Sequence, residues 1–289
     1  MGSLKEIKTR INSVKSTQKI TSAMKMVSSA KLSKAQRTIE NFYPYQQKIQ
    51  DLLQHLLVSA NDEVETLYAE KRELKKVAVV VFASNASLCG GFNSSVVKKL
   101  ADVIANYRHL GLENILIYPV GKQVSKACKK SAYQVMGNFD ALTDKPSYNE
   151  TIELADALML GFENQEFDKV DLLYYHFNTK SNQELTHETF LPMNADIAKA
   201  DHSATDYIVE PDLPTVLEHL IPKALRLKVF TALLDSSASE HAARTMAMQI
   251  ATDNADDILQ ELSMQYNKSR QQAITNELLD IVGGSIGQQ

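Results

Sequence analysis

Apolar residues in the first sixty positions of the chain recur with the spacing of a helix. They step by three or four residues from Leu4 onward, and after one slip the same alternation continues through seven further positions. Steps that alternate between three and four are the heptad spacing of a coiled-coil seam. The seven positions are Ala35, Ile39, Phe42, Gln46, Ile49, Leu53 and Leu56. The pattern predicts one long N-terminal helix over residues 4–58, with Pro44 as a kink or a weak point.

The middle of the chain, residues 75–210, alternates between strand-like and helix-like segments. Its first strand, Val77–Phe82, is the uninterrupted apolar run that is typical of a buried parallel strand. Further strands are predicted at residues 114–120, 169–177 and 184–192, and helices at residues 95–109, 122–132 and 149–162. The last two strands are predicted to pair as a hairpin. This alternation predicts a small, Rossmann-like α/β domain with a mostly parallel sheet.

The last segment, residues 213–289, is helical again. Asp212 is a suitable N-cap, and Pro222 is predicted to separate a short first turn from the long helix that follows. Small residues are frequent from Ala232 to Ala255, where they allow close packing. Two long helices at opposite ends of one chain pair most simply as an antiparallel coiled coil. The predicted fold is therefore α/β with long helices: a coiled coil of residues 1–60 and 213–289, with the α/β domain inserted between them.

The placement of glycine agrees with this architecture. The chain has ten glycines in 289 residues, and none lies between Ser3 and Cys89 or between Phe162 and Val282. Such long segments without turn residues exclude a β-sandwich or a β-barrel. A hydrophobic fraction of 44% excludes a disordered chain.

The net charge of −4 is distributed unevenly along the chain. The first sixty residues hold ten basic and three acidic side chains, so they face an acidic partner in our interpretation. Nucleic acid is the weaker alternative, because Phe42 is the first aromatic residue that could stack on a base. No apolar run reaches the roughly 18 residues of a membrane span, and the N-terminus lacks the apolar region of a signal peptide. We expect a soluble protein in a reducing, intracellular compartment.

Few residues of this chain suggest catalysis or metal binding. The loop Ser87–Asn93 follows the first strand, where phosphates bind in many folds, but it contains neither phosphate-loop motif and no lysine. A tight turn is the preferred interpretation of Gly90 and Gly91. The seven histidines are scattered, and Cys89 and Cys128 are too few for a disulfide framework or a thiolate site. We predict no catalytic residue, cofactor or metal ion.

The end of the C-terminal helix carries more apolar residues than a free tip needs. Exposed apolar residues at such a tip call for an enclosing surface, so a socket in a partner is the interpretation we prefer to a frayed tail. The apolar tip consists of Leu278, Leu279, Ile281, Val282 and Ile286.

Four blocks of the sequence resemble the gamma subunit of the F-type ATP synthase. They are residues 11–34, 87–93, 239–255 and 267–285. The last block is the signature of that family and departs from it at Ser285, where alanine is usual. The chain lacks the cysteine-bearing insert of chloroplast members and so resembles the bacterial type. The resemblance covers nearly the whole chain.

This resemblance implies a non-catalytic rotor subunit of the central stalk. The two long helices would form a shaft inside a ring of three alpha and three beta subunits, and the α/β domain a foot that binds the epsilon subunit and the membrane c-ring. Rotation of the shaft would couple proton flow to ATP synthesis, because it drives the beta subunits through states of different nucleotide affinity. The resemblance further implies a peripheral location on the cytoplasmic side of the bacterial inner membrane, without direct membrane insertion and without nucleic acid.

Individual residues acquire roles by the same resemblance. Those that match polar contacts with beta are Arg244, Arg270, Gln271, Thr275 and Glu277. Met24 and Lys25 match the part of the first helix that nears an acidic loop of beta. Further electrostatic contacts are expected from Lys8, Arg10, Lys15, Lys31 and Arg37. The apolar tip would turn in a sleeve formed by alpha and beta.

Two other classes of protein remain as alternatives from the residues alone. One is a nucleotide-binding α/β enzyme with a coiled-coil arm, against which the missing phosphate motifs count. The other is a coiled-coil protein that binds nucleic acid through the basic first helix.

Overall fold

A computed structural model describes residues 4–59, 66–193 and 207–286 of the chain, with Ser59 and residues 280–286 described by their backbone alone. The chain divides into two compact units. The first unit joins Met1–Ser29 to Arg244–Gln289, and the second comprises Ala30–Ala243. Each unit is described separately below.

Two long helices begin and end the described chain. Helix α1 spans Leu4–Ser59 and is continuous through Pro44. Helix α6 spans Leu213–Ile286, and Asp212 caps its start, since its Oδ1 atom accepts a hydrogen bond from the Thr215 N–H at 2.9 Å. The long terminal helices of the predicted fold are thereby confirmed.

The predicted break at Pro222 is wrong, because α6 runs through this proline without interruption. A proline inside a helix removes one backbone hydrogen bond and crowds the preceding turn. Leu217, Ile221 and Leu225 lie on both sides of it and are 1–3% exposed in the core of the second unit. Burial of a leucine or isoleucine side chain contributes about 1.5–3 kcal/mol. Tertiary packing therefore holds the helix together where the local sequence favours a break.

The second unit contains a five-stranded sheet in the order β3-β2-β1-β4-β5. The strands are β1 Val77–Phe82, β2 Ile115–Val120, β3 Gln134–Val135, β4 Lys169–Thr179 and β5 Asn182–Leu191. The first four strands of this order are parallel, and β5 is antiparallel to β4. The predicted α/β fold with a mostly parallel sheet is confirmed. The short edge strand β3 was not predicted, because two residues leave no periodic pattern.

Four shorter helices connect the strands. They are α2 Phe92–Asn106, α3 Lys122–Lys130, α4 Ala141–Asp144 and α5 Tyr148–Glu163. Short 3-10 turns lie at Leu67–Ala69, Arg108–Leu110 and Leu112–Asn114. Helices α2, α3 and α5 correspond to the predicted ones within three residues at each start, whereas α4 is too short to have a signal of its own.

Alternate residues of β1 face two hydrophobic cores. Val77, Val79 and Val81 pack with residues of α2 and α3, for example Val96 and Val124. Ala78, Val80 and Phe82 belong to the core on the opposite face, where α5 and the near ends of α1 and α6 meet the sheet. All six residues of β1 have no exposed surface, which explains their uninterrupted apolar run.

One segment of helix α6 is enclosed on all sides within the second unit. Every residue from Thr231 to Glu240 is buried, although the segment contains three serines and two carboxylates. The α1 residue Phe42 packs edge-to-face on Phe230, with ring centroids 5.0 Å apart, and Leu32 packs with Ala238. Small side chains in α6 thus permit the close approach that the sequence predicted. Among the residues that the structure describes, no helix combines the length and the hydropathy of a membrane span.

Candidate partner-contact surfaces

Helices α1 and α6 pair antiparallel in the first unit. Three pairs of polar side chains join them, and each step forward along α1 is a step backward along α6. The pairs are Gln18–Asp256, Thr21–Thr252 and Lys25–Gln249. The two threonine hydroxyls lie 2.8 Å apart, and both residues are only 9% exposed. These pairs confirm the antiparallel coiled coil and fix its register.

This register leaves the end of α6 without α1 beside it. Opposite positions have numbers that sum to 273 or 274, so the first described residue of α1, Leu4, lies level with residue 270. Residues 271–286 of α6 therefore extend past the described start of α1. Sixteen helical residues span about 24 Å. The predicted apolar tip lies within this overhang.

Apolar side chains of the overhang are open to solvent. Leu278 and Leu279 are 58% and 63% exposed, and Ile274, one turn earlier, is 47% exposed. The side chains of Ile281, Val282 and Ile286 lie outside the described part of the chain. Exposed leucines and isoleucines in succession along one helix form the kind of patch that marks an interaction surface.

The four polar positions predicted near the tip lie on the same stretch of α6. All four are exposed, and none of them forms an ion pair with the described residues. They are Arg270, Gln271, Thr275 and Glu277. The Thr275 hydroxyl donates a hydrogen bond to the Gln271 carbonyl at 2.9 Å, as threonine commonly does in a helix. Polar and apolar candidate contacts are thus adjacent at this end of the helix.

The remaining predicted residues divide into exposed and engaged ones. The exposed set on α1 comprises Lys8, Arg10, Lys15, Lys31 and Arg37. Met24 is half-buried, and Lys25 Nζ donates a hydrogen bond to Gln249 Oε1 at 2.8 Å. Arg244 is 8% exposed, unlike the polar positions near the tip. The first unit also exposes Ile20 and Ile250, which are 60% and 57% exposed.

The glycine loop after β1 is held by its own side chains. Asn93 Oδ1 accepts hydrogen bonds from the N–H and the hydroxyl of Ser84, at 3.1 and 3.0 Å. Asn93 Nδ2 donates to the same hydroxyl at 2.8 Å, and Cys89 beside it is 1% exposed. Gly90 has a φ of +59°, which glycine adopts without strain. The groups at this helix N-terminus bond one another, which favours the tight turn over a phosphate site.

Two buried aspartates have opposite electrostatic environments. Burial raises the pKa of Asp235 to about 6, although its neighbour His176 opposes this shift with a contact of 2.5 Å. Burial also disfavours the charged form of Asp171, but there the hydrogen bonds from His187 and Tyr107 and the charge of Lys169 outweigh it and lower the pKa. The Asp171 carboxylate lies 2.9 Å from His187 Nε2 and 3.2 Å from Lys169 Nζ. The Oδ1 atom of each carboxylate lacks a hydrogen-bond partner among the described residues, but Asp171 Oδ1 faces the Lys169 ammonium at 3.2 Å.

Neither aspartate was predicted from the sequence to be a notable residue. Asp235 had a signal, since it is the single ionisable residue between Lys228 and Glu240. A lone carboxylate in such a stretch of a packed helix is either exposed or buried with a partner. Asp171 had none, because the alternation of a half-buried strand places a polar residue on the solvent face.

Comparison with known proteins identifies relatives along the whole chain. A family model described as ATP synthase matches residues 3–286. A protein named ATP synthase gamma chain from Phocaeicola vulgatus is 56% identical over 289 residues, which cover 99% of this chain and 100% of that protein. A protein of the same name from Bacteroides fragilis is 54% identical over 290 residues, with the same coverage.

Solved structures show the same fold. The rotor of the Euglena gracilis mitochondrial ATP synthase contains a chain that matches with a TM-score of 0.64 at 20% identity, over 94% of this chain and 98% of that chain. A chain of the Tetrahymena thermophila central stalk and c-ring matches with a TM-score of 0.58 at 24% identity, over 80% and 99%. At such identities the likeness is one of fold alone.

Proposed function

The chain belongs to the ATP synthase gamma-chain family, and from this premise we propose which of its surfaces meet the rest of the complex. As a gamma subunit it is the non-catalytic rotor of the central stalk in the membrane-bound F-type ATP synthase, and catalysis takes place in the beta subunits. The family resemblance read from the four sequence blocks is confirmed. The identities of the partners, the stoichiometry and the contact residues are proposals.

The α1–α6 pair of the first unit is the shaft, and it turns inside a ring of three alpha and three beta subunits. The observation that carries this proposal is the overhang of α6, with Ile274, Leu278 and Leu279 exposed beyond the described start of α1. Non-directional apolar contact tolerates rotation, because no single orientation of such a surface is strongly preferred. The side chains of Ile281, Val282 and Ile286 are proposed to extend the same bearing.

Polar residues near the tip transmit torque to the beta subunits. Arg270, Gln271, Thr275 and Glu277 are exposed, and so are the five basic residues of α1 that are predicted to make electrostatic contacts. Exposed ion pairs contribute only about 0.2–1 kcal/mol each. Weak contacts suit a rotor that must form and break them at three equivalent beta subunits in each turn. Met24 and Lys25 are proposed to meet the acidic loop of beta, and Arg244 is proposed to make a further polar contact with beta.

The α/β domain is the foot, which binds the epsilon subunit and the c-ring. Support comes from the Tetrahymena match, which is a chain of a central stalk with its c-ring. The proposed location is the cytoplasmic face of a bacterial plasma membrane. Mass measurement of the intact native complex tests the composition: three alpha, three beta and one gamma are expected, and any other ratio contradicts the proposal.

A paired substitution tests the contact residues. In the assembled complex, Arg270→Ala with Gln271→Ala is expected to lower ATP-driven proton pumping several-fold, since two contacts of about 0.2–1 kcal/mol each are lost at every step. The matched control is Lys268→Ala with Gln272→Ala. It removes the same types of side chain at the same level of α6, but on a face rotated by about 130°. Equal pumping by both variants at normal assembly would overturn these assignments.

A further inference from the structure

A cavity of about 790 Å³ lies within the second unit. It is bounded by residues 43–57 of α1, the β4–β5 hairpin and residues 224–235 of α6. Apolar side chains cover a large part of its wall, among them Ile49, Leu53, Phe190, Met193 and Leu225. Its volume falls in the range of roughly 300–1,000 Å³ that small-molecule sites occupy.

Two acceptor atoms on the wall of this cavity have no hydrogen-bond partner among the described residues. They are Asp235 Oδ1 and Gln46 Oε1, and both atoms are shielded from bulk water. Asp235 itself is 1% exposed, and its contact with His176 uses the other oxygen, Oδ2. Buried carboxylate and amide oxygens in folded proteins almost always accept a hydrogen bond. A donor is therefore missing at this end of the cavity.

The other carboxylates on the wall already have partners. Glu188 lies 3.1 Å from Lys228 Nζ, and Asp168 accepts two backbone N–H bonds at 2.8 and 2.9 Å. Lys169, a cation on the wall, pairs with Asp171 at 3.2 Å. Among the described wall residues, Asp235 is the carboxylate whose unpartnered oxygen is buried.

We propose that this cavity binds a small amphipathic ammonium ion. Its apolar body packs against Leu53, Phe190 and Leu225, and its N–H groups donate to Asp235 Oδ1 and Gln46 Oε1. A small rotation of each side chain about its last carbon–carbon bond turns the oxygen toward the ligand. A positive charge matches a buried carboxylate whose other contacts are His176 and the Phe177 N–H, and an apolar body matches the apolar part of a wall that also carries polar residues.

Water alone fits this cavity poorly. At about 30 Å³ per molecule the volume corresponds to roughly 25 waters, and an ordered buried water needs two to four polar partners. Water molecules beside the apolar part of the wall, which includes Leu53, Phe190 and Leu225, have few such partners. Displacement of poorly ordered water by an apolar group gains affinity. The same volume accommodates an arylalkyl amine.

The experiment compares three probes of one shape on the full-length purified chain. Isothermal titration calorimetry at pH 7.5 measures the affinity of the chain for 4-phenylbutylammonium, 4-phenylbutanol and 4-phenylbutyrate. The ammonium ion is expected to bind at least about tenfold more tightly than the alcohol, as a hydrogen bond to a charged group implies. The carboxylate is expected not to bind. Equal affinities for the three, or no binding of the ammonium ion, overturns the proposal.

Two substitutions locate the site. Asp235→Asn is expected to remove the tenfold preference for the ammonium ion while the alcohol still binds. Asp156→Asn is the matched control, since this carboxylate lies on α5, bonds to Arg226 at 2.6 Å and is not part of the wall. A preference that survives in natively folded Asp235→Asn, or that is lost in Asp156→Asn, contradicts the assignment. If Asp235→Asn does not fold, Gln46→Leu tests the site instead. This variant is expected to bind the ammonium ion at least twofold more weakly than the unaltered chain does and to bind the alcohol with unchanged affinity.

Discussion

Gly121 is the position where a single added methyl group should do most harm to the α/β domain. It joins β2 to α3 with φ +115° and ψ 142°, a conformation that side chains rarely adopt. A Cβ at this position would lie 2.3 Å from the Ala83 carbonyl oxygen and 2.8 Å from its carbon. The Ala83 N–H donates to Val120 O at 2.8 Å, and Ser84 O accepts from Gln123 N at 3.1 Å. Backbone on both sides of the clash is thus held in place.

The loss of stability expected for Gly121→Ala has two contributions, the strained backbone conformation and the steric clash. The backbone conformation costs an alanine about 1–3 kcal/mol, and overpacking against a fixed carbonyl costs about 1–3 kcal/mol more. A loss of about 2–6 kcal/mol is a large part of the 5–15 kcal/mol that stabilises a typical protein. Gly91→Ala is the matched control. Gly91 has φ −81°, and its nearest atoms are serine hydroxyls at 3.8 and 3.9 Å.

The stability of both variants is measured by urea unfolding, which tyrosine fluorescence reports because the chain has eleven tyrosines and no tryptophan. With a slope of about 1–3 kcal/mol per M, Gly121→Ala should unfold at roughly 1–2 M less urea than the unaltered chain. Gly91→Ala should stay within about 1 kcal/mol of it, since reduced entropy of the unfolded chain offsets a weaker N-cap. Midpoints for the two variants that agree within about 0.3 M would refute the argument.

Three further predictions concern buried polar groups. The pKa of Asp235 is raised to about 6 in the folded chain, so the folded state binds its proton more tightly than the unfolded state does. The free energy of unfolding therefore rises as pH falls from above 6 toward 3.8. Asp235→Asn should abolish this rise, and urea midpoints that keep their pH dependence in the variant contradict the prediction. The pKa of Asp171 is lowered, so its contribution to the free energy of unfolding is present above pH 3.8 and is lost as pH falls below that value. Asp171→Asn should lower the free energy of unfolding by about 3–5 kcal/mol at pH 7, and a loss under about 1 kcal/mol in urea unfolding argues against a stabilising network of Asp171 with His187, Tyr107 and Lys169. A double-mutant cycle of Thr21→Ala and Thr252→Ala should give a coupling of about 0.5–1.5 kcal/mol in thermal unfolding, whereas additive effects would show that the register is misplaced.

The absence of glycine from most of both long helices has a mechanical consequence. Helix α1 contains none, and in α6 glycine occurs only at Gly283 and Gly284, near its end. Each glycine in a helix interior costs about 1 kcal/mol relative to alanine. A shaft that transmits torque benefits from helices that resist local unfolding, and this composition provides them.

The sequence by itself determined the elements with a repeating pattern and the family. Heptad steps along α1, the apolar run of β1 and the alternation of the middle segment predicted helices and strands within a few residues, because each pattern reports which side of an element is buried. The four blocks identified the gamma-chain family without any structure. Asp212 was predicted as a cap from its residue type alone, since an N-cap needs only the three residues that follow it.

Only the tertiary structure decided what depends on residues far apart in the chain. Pro222 does not break α6, because leucines on either side of it pack against a sheet formed by other segments. The register that pairs Thr21 with Thr252 sets where α6 outruns α1, and no local pattern contains a separation of 231 residues. Asp171 and Asp235 are both aspartates in apolar surroundings, yet one gains a histidine, a tyrosine and a lysine, and the other a histidine and the Phe177 backbone N–H. Their opposite pKa shifts follow from those partners, because a buried charge depends on the groups that the fold brings to it.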